Sequence, residues 1–127
     1  MRQQDRDDTM QIGEVAERAQ LSLRTIRHYD EIGLAPPSAR SEGGFRLYTK
    51  SDVDRLIRIR RIKPLGFSLD ETTHVLRILE GTAPADDAAA YLLKAREARD
   101  KLARKLQQAD EMIVDLETSI SAEATNG

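Results

Sequence analysis

The chain has 127 residues, with 20 Lys or Arg against 22 Asp or Glu, for a formal net charge of −2. It has no cysteine and two histidines. That excludes disulfides, thiolate zinc sites, iron–sulfur clusters and cysteine nucleophiles, and leaves no basis for a metal or cofactor site.

The N-terminal stretch Met1–Thr9 is polar and charged and reads as a flexible arm. A first helix is predicted over Ile12–Ala19, because Ile12, Val15, Ala16 and Ala19 repeat at helical spacing. Gln20 and Leu21 make a short turn. Ser22 is a good N-cap for a second helix, and Leu21 can staple onto Ile26. That helix runs to about Glu31 and stops at Gly33. Two short helices joined by a tight turn form a helix-turn-helix.

Pro36 and Pro37 oppose helix, and Arg40–Tyr48 then reads as a hairpin turning at Gly43-Gly44. In its second strand Phe45, Leu47 and Thr49 alternate with Arg46 and Tyr48. One face is therefore expected to pack inward and the other to present Arg and Tyr. A hairpin after a helix-turn-helix makes a winged arrangement. A third helix is placed after a Ser51 cap. Val53, Leu56, Ile57, Ile59 and Ile62 form its apolar side, and Arg55, Arg58, Arg60, Arg61 and Lys63 make the rest basic. A fourth starts at Ser68, with Glu71 completing a capping box, and runs to about Leu79. Leu69, Val75, Leu76 and Leu79 are expected to be buried.

Residues 81–87 read as a linker. From Ala88 to about Ile120 the residues Leu92, Ala95, Arg99, Leu102, Leu106, Ala109, Ile113, Leu116 and Ile120 alternate spacings of three and four. That is a heptad seam broken only by Arg99. About 33 helical residues make a rod of roughly 50 Å. A second copy would cover its apolar stripe, so a homodimer joined through Leu92, Leu102, Leu106, Ile113, Leu116 and Ile120 is expected. The fold class is thus mostly α. A winged helix-turn-helix head of four helices with a β-hairpin wing spans 10–80, a dimerisation coiled-coil helix spans 88–121, and 122–127 form a disordered tail.

Charge is unevenly spread. Between Gln20 and Lys63 there are 10 basic and 5 acidic residues, whereas residues 79–127 hold 6 basic and 10 acidic. A basic patch on an acidic chain is the footprint of a nucleic-acid binder. A recognition helix presents its N-terminal residues to base edges. Here those are Arg24, Thr25, Arg27 and His28. Arg donates paired hydrogen bonds to guanine, and a Thr methyl can touch a thymine methyl. Arg40, Arg46 and Tyr48 on the wing are candidates to hold neighbouring phosphates, which position without specifying. Arg58, Arg61 and Lys63 read first as a solvated helix face, with backbone contacts as the alternative. His74 reads as a surface residue.

The strings IGEVAERAQLSLRTIRHYDEIGL (12–34) and GGFRLYTKSDVDRLIRIRRIKPLGFSLDE (43–71) resemble the MerR, or mercury-resistance-regulator, family of bacterial transcription regulators. The resemblance covers about residues 10–80. It departs at His28 and Phe45, where the family commonly has Tyr. It implies a regulator that binds double-stranded DNA; joined as the homodimer expected from the seam, two heads would meet a palindromic promoter operator. The resemblance further implies distortion of an over-long promoter spacer, so that RNA polymerase engages both promoter elements. No signal peptide is visible, and the cytoplasm is the default location. Tyr29 keeps two readings: contact with a phosphate, as the resemblance implies, or a place in the core with its hydroxyl outward. A small-molecule effector, if one acts, is specified by no polar constellation. No apolar run approaches the roughly 20 residues that span a bilayer, so no membrane partner is expected. A DNA-architectural or excisionase-like recombination accessory protein is the alternative function. An enzyme has the least support, since no nucleophile–base pair or phosphate loop appears.

Overall fold

The computed structural model describes residues 8–126; most of the expected N-terminal arm therefore lies outside the described residues. The chain divides into two units, residues 1–85 and 86–127.

The first unit is the head. Its elements are β1 (Met10–Gln11), α1 (Ile12–Ala19), α2 (Leu23–Glu31), β2 (Ala39–Arg40), β3 (Arg46–Tyr48), α3 (Lys50–Ile62) and α4 (Leu69–Leu79), with a 3-10 turn at Lys63–Leu65. The three strands form an antiparallel sheet in the order β1-β3-β2. Met10 pairs with Tyr48 and Gln11 with Leu47 on one edge of β3; Ala39 pairs with Leu47 and Arg40 with Arg46 on the other. Strand β1 has no counterpart among the elements predicted from sequence, because two residues directly preceding a helix carry no readable alternation.

Val15, Ile26, Tyr48, Leu56 and Leu76 are the largest fully buried side chains of the head core. α1 contributes Val15 and Ala19, with Ile12 and Ala16 packed alongside, as its helical spacing predicts. Gln20 then adopts a left-handed conformation (φ 56°) that closes α1. Ser22 caps α2: its Oγ accepts the Thr25 N–H at 3.0 Å and donates to Thr25 Oγ1 at 2.8 Å. α2 ends where Gly33 takes φ 76°, a value that costs a side-chain-bearing residue energy. The amides of Leu34 and Ala35 both donate back to the Tyr29 carbonyl, at 2.9 and 3.0 Å.

α3 is capped by Thr49 rather than by Ser51. Thr49 Oγ1 accepts the Asp52 N–H at 3.1 Å, and Asp52 Oδ2 accepts the Thr49 N–H at 2.9 Å. Ser51 and Asp54 offer the same spacing in sequence. What singles out Asp52 is tertiary: its Oδ2 also accepts from Ser38, at 3.1 Å from the amide and 2.6 Å from the hydroxyl. α4 carries the expected capping box, Ser68 with Glu71. Thr72 and Leu76 are its buried residues, and Val75 packs beside them. Leu69 and Leu79 are exposed, contrary to expectation. They share the stripe of Thr72 and Leu76 but lie at the two ends of the helix, beyond the part that covers the core.

The second unit is a 3-10 turn at Ala85–Asp87 and one helix, α5 (Ala88–Asn126), of 39 residues. It continues past Ile120 to Asn126, through the residues from 122 onward that the sequence predicts as a disordered tail. Ala122, Glu123 and Ala124 are good helix formers and no breaker precedes Asn126. None of the residues of α5 is buried. Leu92, Leu102, Leu106, Ile113, Leu116 and Ile120 are all exposed.

Candidate nucleic-acid interface

The capped start of α2 positions the first group of side chains. Arg24, Arg27 and His28 are exposed and Thr25 is half-buried against its cap. The first turn of α2 contains no acidic residue. The positive dipole end of α2 therefore has two exposed arginines and no carboxylate beside it, an arrangement suited to an anionic ligand. Arg24, Thr25, Arg27, His28, Tyr29, Glu31 and Lys63 line one open cleft of about 560 Å³. Tyr29 is only 5% exposed and belongs to the core. The core reading of Tyr29 thus describes its packing, and what remains for a ligand is the part that borders the cleft. Lys63 Nζ lies 5.9 Å from the Tyr29 ring centroid. The structure thus brings Lys63, taken from sequence as a solvated cation, to the same cleft as the start of α2.

The wing departs from expectation in which of its faces is covered. Arg46 and Tyr48 share one face of β3, and it is that face that turns towards the helices. Tyr48 is fully buried, opposite the buried Met10, so it cannot touch a phosphate. Phe45, expected to pack inward, is 64% exposed at the wing tip. The Tyr48 hydroxyl has no hydrogen-bond partner among the described residues. Burial, reinforced by the nearby Asp30 charge, pushes its pKa above the ordinary 10.0.

Arg46, on the same face, is accommodated by Asp30 in the last turn of α2. Arg46 Nε donates to Asp30 Oδ2 at 2.6 Å, and Arg40 Nη2 donates to the same oxygen at 3.0 Å. The Asp30 bond holds the Arg46 pKa above its usual value against the opposing effect of burial. Arg40 also reaches the Gly44 carbonyl, at 3.5 Å, across a turn closed by Ser41 and Phe45. The two wing arginines are therefore tied to α2, an arrangement with no sequence signal.

Two cations of α3 serve the fold. Arg60 Nη1 donates to the Ala19 carbonyl at 2.6 Å and to Gln20 Oε1 at 3.2 Å, capping the C-terminal end of α1. Arg55 Nε donates to the Leu34 carbonyl at 2.9 Å, and its Nη1 pairs with the Glu80 carboxylate. Among the described residues no group of three or more His, Cys, Asp or Glu could hold a metal ion. None of the described helices is long and apolar enough to cross a membrane.

This geometry agrees with a family-level comparison. The model for the MerR HTH family regulatory protein matches residues 10–78, and that for the MerR DNA-binding region matches residues 53–119. The chain belongs to the MerR family. It is 41% identical over 97 residues to the HTH-type transcriptional activator TipA of Streptomyces coelicolor, covering 76% of this chain and 36% of TipA. It is 38% identical over 99 residues to the HTH-type transcriptional regulator CueR of Vibrio cholerae, covering 78% of this chain and 70% of CueR. The crystal structure of MtaN, the N-terminus of the Bacillus subtilis multidrug transporter activator, is similar with a TM-score of 0.57 and 36% identity, over 87% of this chain and 97% of that one. The chain thus spans little more than a third of the length of TipA. The winged helix-turn-helix head and long C-terminal helix are the architecture of the MerR structures it matches.

Proposed function

We propose that this MerR-family chain is a sequence-specific, DNA-binding transcription regulator that acts as a homodimer on a palindromic promoter operator. The observation that carries the proposal is the exposed, acid-free first turn of α2, with Arg24, Thr25, Arg27 and His28 bordering one cleft. In this reading those four side chains meet base edges in the major groove. Arg40 and Arg46 hold flanking phosphates from the wing, and Lys63 adds a backbone contact. Tyr29 supports the helix from the core.

The apolar seam of α5 supports pairing with a second copy, since Leu92 through Ile120 are otherwise left to water. Two heads joined this way match a two-fold symmetric operator. Distortion of the promoter spacer, at a DNA-bending cost of order 1–6 kcal/mol, is the proposed route to RNA polymerase. The relatives named above are described as activators and regulators of transcription, which favours this reading over a recombination accessory role and over an enzyme.

Selection from randomised duplexes with the purified chain, paired with sedimentation, tests the proposal. A two-fold symmetric consensus bound by a dimer is the expected outcome. A single-copy protein with no preference among duplexes at moderate salt would overturn it.

A further inference from the structure

Asp30 is out of place for a phosphate-facing helix. It sits in the last turn of α2, where the negative end of the helix disfavours a carboxylate. On an element that approaches DNA, its charge also opposes the phosphates. Its side chain is only 12% exposed, and one oxygen, Oδ2, accepts from both Arg46 and Arg40. The two arginines are held unequally. Arg46 is 23% exposed and bonded through Nε at 2.6 Å; Arg40 is 50% exposed and bonded through Nη2 at 3.0 Å.

We propose that Asp30 is a specificity-determining positioning residue, which locks the wing arginines Arg40 and Arg46 to the reading helix through Oδ2. This rests on the DNA-reading function proposed above. A guanidinium is a planar fork of five donors. Anchoring Arg46 at Nε fixes the plane of that fork relative to α2 and leaves its outer nitrogens for a ligand. Phosphate contacts carry no sequence information of their own, but they set the register of the element that does. With the wing cations fixed to α2, they reach phosphate in good geometry only when Arg24–His28 are seated on their bases. Released from Asp30, the same cations bind any phosphate in any register. The triad of two arginines and one aspartate keeps a net positive charge, so it still attracts the backbone while enforcing one geometry.

The test compares wild type, Asp30→Asn, Arg46→Lys and the double variant. Each is titrated by fluorescence anisotropy against the best duplex from selection and against a scrambled duplex, over a salt series. Asp30→Asn is expected to leave affinity for the scrambled duplex unchanged or raised and to lower affinity for the selected duplex about tenfold. The salt slope of the selected complex is expected to fall by about 1–2, the share of the two loosened arginines. Arg46→Lys keeps the charge but not the Nε bond, so it should reproduce the loss and add little in the double variant. Affinities that rise together on both duplexes would show that Asp30 is only a repulsive charge. Losses that add in the double variant would show that Arg46 acts without Asp30. If Asp30→Asn fails to fold, Arg46→Lys alone decides: a loss confined to the selected duplex supports the lock, and an equal loss on both duplexes overturns it. A wild-type chain that does not prefer its selected duplex would instead sink the DNA-reading proposal itself.

Discussion

Replacing Tyr48 by Phe should stabilise the head and leave DNA binding alone. Tyr48 is completely buried and its hydroxyl has no hydrogen-bond partner among the described residues. A buried, unsatisfied hydroxyl costs about 1–3 kcal/mol. Phe keeps the ring in place and removes the oxygen, so a gain near the lower end, about 1 kcal/mol, is expected after some loss of packing. For a head of this size that corresponds to a rise in Tm of about 4–8 °C. The pH dependence gives a second signature. The folded pKa of Tyr48 lies above its ordinary 10.0, so the fold favours the neutral hydroxyl. That share of stability is intact below about pH 10 and is lost as pH rises through the folded value. Tyr48→Phe should therefore melt less steeply with alkali than wild type. Thermal melts by circular dichroism from neutral pH to about pH 11, with anisotropy titrations beside them, read both effects. A variant destabilised by 1 kcal/mol or more would mean that the hydroxyl is bonded. Lost DNA affinity in a stable variant would mean that Tyr48 reaches the duplex after all.

Arg27→Ala should weaken binding to the selected duplex by roughly 1–3 kcal/mol while sparing a scrambled one; equal loss on both, by anisotropy, would demote Arg27 to a phosphate contact. Leu106→Asp with Ile113→Asp should give a single-copy chain with poor operator affinity, and an unchanged dimer mass in sedimentation would refute the seam. Arg60→Ala removes the cap on the last turn of α1 and should cost about 1–2 kcal/mol of head stability by thermal melt, with the ratio of specific to non-specific affinity preserved.

The elements legible in the sequence are those whose signal is local. Ser68 and Glu71 form a capping box within one turn, and α4 begins there. The apolar spacing of Ile12–Ala19 and the Ser22 cap place the helix-turn-helix, and with it the exposed side chains from Arg24 to His28. Other features are decided by distant partners. Thr49 and Ser51 have equivalent boxes, and the hydrogen bonds from Ser38 to Asp52 set the first apart. Alternation in β3 separates two faces but does not say which is covered. Arg and Tyr look like the outer pair until Asp30 is found waiting for Arg46 from sixteen residues away. Lys63 joins the cleft for a similar reason, since its approach to Tyr29 depends on how α2 and α3 cross.

The absence of any buried residue in α5 separates the fates of the two units on dilution. The head carries a closed core within residues 10–76 and owes little to mass action. In the proposed homodimer only a second copy covers the rod's row of leucines and isoleucines, so its helicity would depend on protein concentration. Calorimetry at falling concentration should therefore split one melting event into two, with the long helix fraying first while the heads stay folded.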